Sequence, residues 1–164
     1  MGIDIQFDER TYLEMERAMN IVKKAKGDRV AELRDVILGK KEPRFLSEMA
    51  PTRIPLLNDS QNAAITNVLA AQDVSIIHGP PGTGKTTTLV YAIQMLCQTE
   101  NTVLVTAPSN TAVDLLTERL AEANLRAVRI GNISRVEESL VRHTLEFQLS
   151  NHPDAKHIKK VRKE

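Results

Sequence analysis

A short apolar run, residues 74–77, ends in a stretch of glycines and prolines that is followed at once by a segment with helical character. This stretch occupies residues 79–86 and reads Gly-Pro-Pro-Gly-Thr-Gly-Lys-Thr. A buried strand that leads through a glycine-rich turn into a helix brings backbone N–H groups together beside the positive end of the helix dipole. Such a cradle suits phosphate oxygens, and the stretch fits the P-loop pattern G-x-x-x-x-G-K-[ST] at every fixed position.

The P-loop pattern assigns different tasks to its side chains and backbone. Lys85 is expected to reach the β- and γ-phosphates of a nucleoside triphosphate, and the Thr86 hydroxyl is expected to bind Mg²⁺. These two residues are the candidate catalytic residues, and Thr86 is the candidate metal ligand. The predicted contacts to the nucleotide within this segment are Gly79, Pro80, Pro81, Gly82, Thr83, Gly84, Lys85, Thr86 and Thr87. A glycine-rich turn that binds nothing is disfavoured, because motif, strand and helix occur together.

Segments with strand character and segments with helix character alternate through the middle of the chain. Strands are predicted at residues 74–77, 102–106 and 126–130, and helices at residues 61–71, 86–98 and 111–122. This alternation indicates crossover connections and a mainly parallel sheet, so the expected fold class is α/β. Asp59 or Ser60 is expected to cap the first of these helices.

The two ends of the chain have a different character. Apolar positions recur every three or four residues in residues 11–26 and 28–39, which predicts two amphipathic helices, the second capped by Asp28. Residues 40–55 contain prolines without periodicity, which is typical of a linker or an extended wrap. A capping box predicts a short helix beginning at Ser134, residues 145–149 suit a strand or a helix, and the charged residues 151–164 are expected to be helical.

Composition excludes some classes of protein and leaves others open. Lys plus Arg is 22 and Asp plus Glu is 21, so the net charge of +1 does not indicate a polyanionic partner. A single cysteine, Cys97, excludes an intramolecular disulfide and a cysteine-based metal site. No apolar stretch is long enough to span a bilayer, and the N-terminus does not resemble a signal peptide. We therefore expect a cytoplasmic or nuclear protein that is not secreted and has no membrane partner.

Three further segments resemble motifs of the superfamily 1B (Upf1-like) helicases. Residues 57–65, Leu-Asn-Asp-Ser-Gln-Asn-Ala-Ala-Ile, look like a Q motif, and residues 107–114, Ala-Pro-Ser-Asn-Thr-Ala-Val-Asp, look like motif Ia. Residues 129–131, followed by Ser134 and Arg135, resemble motif Ib. With the P-loop, this set is similar to the branch of the immunoglobulin-mu-binding-protein helicase and the nonsense-mediated-decay helicase. The resemblance covers the chain from about residue 11 to its end.

The resemblance implies ATP and Mg²⁺ as cofactors and single-stranded DNA or RNA as a partner. Gln61 would bind the adenine edge, since an amide can donate one hydrogen bond and accept another. Ser109, Asn110 and Thr111 would contact the single-strand backbone, and their alternative role is ordinary helix capping. Arg129 and Arg135 would be further nucleic-acid contacts or, alternatively, solvated charges.

The resemblance also implies parts of a helicase motor that these 164 residues lack. After the P-loop there is no apolar strand ending in Asp-Glu to hold Mg²⁺ and position water, and no second motor domain with an arginine finger. In RecA-like domains the strands bearing the next motifs lie between the P-loop strand and the motif Ia strand. Residues 74–77 and 102–106 are therefore not expected to be neighbours.

We therefore expect a fragment with three parts. Residues 1–50 would be a helical stalk-like segment and linker, residues 51–150 an incomplete RecA-like P-loop domain, and residues 151–164 a charged tail. The fragment would bind nucleotide without turnover, would need the remainder of the motor as a partner, and would self-associate through exposed sheet edges.

Two alternatives belong to other functional classes. A small P-loop nucleotide kinase has a similar length, but about half of this chain precedes the P-loop, and motif Ia has no place in a kinase. A non-catalytic module that binds nucleotide or nucleic acid is the other alternative.

Overall fold

The structure is a computed structural model that describes residues 9–131 and 136–155. These residues divide into two compact units, one formed by residues 9–51 and 66–76 and the other by residues 52–65, 77–131 and 136–155. Helix α3, Asp59–Ala70, contributes residues to both units. The three-part division at residues 50 and 150 stays a prediction.

The first unit contains the two predicted N-terminal helices, α1 at Glu9–Lys24 and α2 at Arg29–Ile37. Helix α2 begins where the Asp28 carboxylate accepts a hydrogen bond from the Ala31 N–H at 2.8 Å, which confirms the predicted cap. The Arg34 guanidinium donates to the carbonyl oxygens of Val22 at 3.0 Å and Ala25 at 2.9 Å. These bonds satisfy carbonyl groups at the end of α1 and hold the two helices together.

Part of the proline-containing segment wraps back onto the end of α3. Leu46 N–H donates to the Ala70 carbonyl at 2.8 Å, and Gln72 N–H donates to the Arg44 carbonyl at 3.0 Å. The Phe45–Ala71 pair forms an antiparallel bridge between these bonds. The extended wrap, one of the two predicted alternatives for residues 40–55, is therefore confirmed here.

An ionic cluster ties this wrap to α2. The Asp73 carboxylate, whose side chain is only 1% exposed, lies 2.6 Å from Arg29 Nη1 and 2.9 Å from Arg44 Nη2. Glu32 pairs with Lys41 at 2.5 Å and with Arg29 at 2.7 Å. Hydrogen bonds from Arg44, and then from Arg29, hold the pKa of the Asp73 carboxyl well below its usual range. Hydrogen bonds from Lys41, and then from Arg29, lower the pKa of Glu32 to about 2.

The second unit contains helices α4, Lys85–Leu96, and α5, Asn110–Glu122, close to their predicted positions. Ala92 and Ile93 of α4 and Leu120 of α5 are buried. The Gln94 amide of α4 donates to the Ala123 carbonyl just beyond α5 at 3.2 Å. Packing of α4 against α5 therefore supports the helix that follows the P-loop.

A 3₁₀ helix at Glu138–His143 leads into α6, Leu145–Asn151. The Thr144 side chain caps α6 by accepting a hydrogen bond from the Phe147 N–H at 3.3 Å. Of the two predicted alternatives for residues 145–149, strand or helix, the structure therefore shows the helix. Ser134 and most of the predicted tail, residues 156–164, lie outside the described residues. None of the described helices is both long and apolar enough to cross a membrane.

The three predicted strands are the main correction to the sequence analysis. Residues 74–77, 102–106 and 126–130 form no strand within the described ranges; Arg129 alone makes an isolated parallel bridge, to Thr144. None of their apolar side chains is buried, and some are highly exposed, for example Ile76 at 84% and Leu104 at 81%. A strand exists only when its N–H and C=O groups pair with a neighbour, so apolar character alone does not produce one.

Candidate functional site

The P-loop of the second unit closes into a tight turn that depends on its glycines. Gly82 and Gly84 have φ values of 82° and 78°, in the left-handed region that favours glycine. A Cβ atom on Gly79 would lie 2.7 Å from the Thr83 hydroxyl oxygen, which itself donates to the Pro80 carbonyl at 2.8 Å. A side chain at Gly79 would therefore collide with Thr83, and one at Gly82 or Gly84 would strain the backbone.

Helix α4 begins directly after the loop without a side-chain cap. Its N-cap is Gly84, and the first helical bond runs from the Thr88 N–H to the Gly84 carbonyl at 2.9 Å. The N–H groups of the first turn have no partner inside a helix, and Lys85, Thr86 and Thr87 are all exposed. This helix end can therefore receive an anion without displacing a protein side chain.

Lys85 folds back over the loop from the first position of α4. Its Nζ donates to the carbonyl oxygens of Gly79 at 2.6 Å and Pro80 at 2.8 Å. These neutral acceptors hold the ammonium group beside the loop. Phosphate oxygens carry more negative charge than carbonyls, so they would compete well for the same donors.

Gln61 bridges the start of α3 and the P-loop. Its Oε1 accepts from the Asn58 N–H at 3.0 Å while the Asn58 side chain accepts from the Gln61 N–H at 2.9 Å, a reciprocal capping box. Its Nε2 donates to the Thr83 carbonyl at 3.2 Å. Asn58 therefore caps α3 in place of the predicted Asp59 or Ser60, and Gln61 already uses its amide within the protein.

Replacement of Gly84 by alanine tests the link between Gln61 and the loop. A Cβ at this position would lie 2.6 Å from Gln61 Nε2, and φ there is +78°. We expect Gly84→Ala to displace Gln61 and strain the loop by about 1–3 kcal/mol, weakening nucleotide binding. Calorimetric titration with Mg·ATP measures this effect.

Gly39→Ala is the matched control, because Gly39 also has positive φ (67°) but a Cβ there meets nothing within 4 Å. Equal affinities of the two variants would contradict the prediction.

The described residues contain no group of three or more His, Cys, Asp or Glu side chains that could hold a metal ion. The exposed Thr86 hydroxyl in the first turn of α4 remains the predicted Mg²⁺ ligand. A single protein oxygen fits Mg²⁺ that takes its other ligands from phosphates and water.

The motif Ia residues lie at the start of α5. The Ser109 hydroxyl caps the helix by accepting from the Ala112 N–H at 3.2 Å, so the predicted capping role is confirmed. Asn110 and Thr111 follow in the first turn, and all three residues are exposed. The arrangement offers hydroxyl, amide and helix N–H groups on one surface.

Arg129 does not lie on the surface, contrary to both roles suggested for it in the sequence analysis. It is 3% exposed, and its Nε donates to the buried Asp114 carboxylate at 3.0 Å. A guanidinium enclosed in this way cannot also be a solvated charge or a phosphate contact. Arg135 lies outside the described residues.

Sequence reasoning missed two residues that shape these sites. Asn58 was visible as the first member of an Asn-x-x-Gln pair, which has the spacing of a capping box. Asp114 carried no comparable signal, because its partner Arg129 is 15 residues away and only the fold brings them together.

Comparison with known proteins places these features in a family. The family model described as AAA domain matches residues 56–164. DNA-binding protein SMUBP-2 of Mesocricetus auratus is 38% identical over 156 residues, which is 94% of this chain and 16% of that protein. ATP-dependent helicase upf1 of Schizosaccharomyces pombe is 36% identical over 135 residues, 75% of this chain and 14% of that protein.

A third relative is DNA polymerase alpha-associated DNA helicase A of Saccharomyces cerevisiae, 46% identical over 97 residues, 57% of this chain and 14% of that protein. The chain therefore spans only about a sixth of the length of the curated relatives it matches. The match includes the P-loop, the Gln61 segment and motif Ia, the segments that form the sites described above. The chain belongs to the AAA-domain family of P-loop NTPases and, within it, to the Upf1-like superfamily 1 helicases.

Proposed function

We propose that this chain binds ATP with Mg²⁺ and forms the nucleotide-binding front portion of an ATP-dependent DNA or RNA helicase motor. The observation that carries the proposal is the P-loop, where Lys85 folds over the loop beside the uncapped start of α4. Relatives named as ATP-dependent helicases support the choice of nucleotide and of activity.

The proposed nucleotide contacts involve the phosphates, the Mg²⁺ ion and the adenine base in turn. Backbone N–H groups of residues 82–87 and the Lys85 ammonium would hold the phosphates, and the Thr86 hydroxyl would bind Mg²⁺. Gln61 would bind adenine by exchanging its bonds to Asn58 and Thr83 for the base edge. The metal ion supplies charge neutralisation at the β- and γ-phosphates when bound.

We further propose a RecA-like parallel sheet in the whole motor domain. Residues 74–77 and 102–106 would be two of its strands. In the sheet, other strands of the motor domain would lie between these two and pair with them. The high exposure of Ile76 and Leu104 supports this proposal, because such side chains are normally covered when a sheet is complete.

Single-stranded nucleic acid is the proposed second ligand, held at Ser109, Asn110 and Thr111. Short polar side chains at a helix start suit backbone phosphates rather than base edges, so binding should be weak and tolerant of sequence. Its affinity should fall as salt rises, because phosphate contacts release counterions.

A combined binding and turnover experiment tests the proposal. We expect the purified chain to bind Mg·ATP and labelled single strands of DNA or RNA, yet to show no ATP turnover with either. Positioned water, full Mg²⁺ ligation and an arginine finger are needed for turnover, and the finger alone contributes about 10³–10⁵ in rate. Stimulated turnover that Lys85→Ala abolishes would show that no further motor parts are needed, and failure to bind nucleotide would refute the proposed site.

A further inference from the structure

A buried guanidinium connects the start of α5 to the segment that follows residue 126. Arg129 Nε donates to Asp114 Oδ1, Nη2 donates to Asn110 Oδ1 and Nη1 donates to the Ile130 carbonyl, each at 3.0 Å. The side chains of Arg129 and Asp114 are only 2% and 8% exposed. Arg129 therefore uses its planar fork to hold two residues of α5 in one geometry.

The chemistry of the guanidinium decides which way the Asn110 amide faces. Arginine has hydrogen-bond donors and no acceptor, so Asn110 must offer its oxygen to Arg129. The Asn110 Nδ2 group, with two N–H donors, is then the free end of the amide. Asn110 is exposed, and within the described residues its Nδ2 donates to no protein group.

We propose that Arg129 is a positioning residue for single-strand binding: it fixes the Asn110 amide so that the Nδ2 donors meet a backbone phosphate, without touching the nucleic acid itself. The inference rests on the proposed nucleic-acid function of motif Ia and adds Arg129 as the residue that orients the Asn110 amide. An unsupported asparagine would present oxygen or nitrogen equally well, and its oxygen would repel a phosphate. Arg129 fixes the orientation of the Asn110 amide before single-stranded nucleic acid binds.

The backbone around Arg129 holds the guanidinium in place. Arg129 N–H donates to the His143 carbonyl at 2.7 Å, and Leu145 N–H donates to the Arg129 carbonyl at 3.3 Å. Gly131 has a φ of 144°, and a Cβ atom there would collide with Arg129 Nη1. A substitution at Gly131 would therefore displace the guanidinium while leaving its charge in the chain.

A double-mutant cycle tests the positioning role in the full chain. Arg129→Lys keeps a cation that can pair with Asp114 but loses the fork, and Asn110→Ala removes the oriented amide. We expect each variant to weaken binding of a labelled single strand by about tenfold, measured by fluorescence anisotropy. The double variant should bind no more weakly than either single variant, because both remove the same contact. Additive losses would mean that Arg129 contacts the strand independently and would overturn the proposal.

Three controls separate this role from general loss of structure. Arg119→Lys makes the same exchange on α5 at an exposed residue paired with Glu122, and should leave binding unchanged. Mg·ATP affinity should be unchanged in all variants. Gly131→Ala should reproduce the binding loss of Arg129→Lys, which keeps the test decisive if the lysine variant folds poorly.

A measurement without nucleic acid separates this inference from the proposed function. In the nuclear magnetic resonance spectrum, the Asn110 side-chain amide signals should shift in Arg129→Lys and stay in place in Arg119→Lys. Unchanged Asn110 signals, together with normal strand binding by the wild-type chain, would refute only the positioning role. Absence of strand binding by the wild-type chain would refute the proposed nucleic-acid function and, with it, the phosphate contact.

Discussion

Replacement of Lys85 by alanine is expected to weaken Mg·ATP binding by tenfold or more. The Lys85 ammonium lies 2.6 Å from the Gly79 carbonyl and 2.8 Å from the Pro80 carbonyl, beside the proposed phosphate site. Its transfer to phosphate oxygens would form charge-assisted hydrogen bonds, for which ~1.5–3 kcal/mol is typical, and about 1.4 kcal/mol corresponds to tenfold in affinity. Isothermal titration calorimetry with Mg·ATP measures the change directly.

Lys40→Ala is the matched control for this experiment, because Lys40 is an exposed lysine outside the P-loop. It should bind Mg·ATP like the wild-type chain. Circular dichroism must show that both variants keep their helices. A folded Lys85→Ala variant with unchanged affinity would remove the basis for placing the triphosphate at residues 79–87.

Removal of the Asp114 carboxylate is expected to produce the largest loss of stability. Asp114→Ala would leave the Arg129 guanidinium buried without its counter-ion, since the two side chains are 8% and 2% exposed and 3.0 Å apart. Breaking a buried ion pair from one side costs about 3–5 kcal/mol, because the remaining charge keeps its desolvation penalty. Urea unfolding followed by circular dichroism gives the difference in the free energy of unfolding.

Glu122→Ala provides a matched comparison on the same helix. It removes the exposed Arg119–Glu122 pair, whose side chains are 56% and 58% exposed, and should cost about 0–1 kcal/mol. Similar losses in the two variants would contradict the view that burial makes the Asp114–Arg129 pair structurally important. A small loss in both would mean that the guanidinium finds other partners when Asp114 is absent.

The starts of several helices were predictable because the residues that define them are adjacent in sequence. Asp28 caps α2 and Ser109 caps α5, since each side chain reaches an N–H group only three residues ahead. Helix α4 follows the P-loop as predicted. Its loop needs glycine because local φ values at Gly82 and Gly84 are positive. Such features depend on short-range sterics and hydrogen bonds, which the order of residues determines.

Strands were not predictable in the same way. Residues 102–106 are as apolar as a buried strand, yet Leu104 is 81% exposed and the segment is not paired. A helix satisfies its backbone within one segment, whereas a strand needs a second segment to supply its hydrogen bonds. Local pattern therefore predicts the capacity to form a strand, and the presence of a neighbour decides whether one exists.

By itself the sequence determined the glycine-rich turn of the P-loop, helices α1 to α5 and the family, because each depends on residues close together in the chain. Only the tertiary structure decided the surroundings of Gln61 and Arg129. Gln61 meets Thr83 across 22 positions, and Arg129 meets Asp114 and Asn110 across 15 and 19. In sequence Arg129 has the form of an ordinary surface cation. Its burial follows from the packing of distant segments, which places a carboxylate and an amide oxygen around the guanidinium and so offsets the cost of removing it from water.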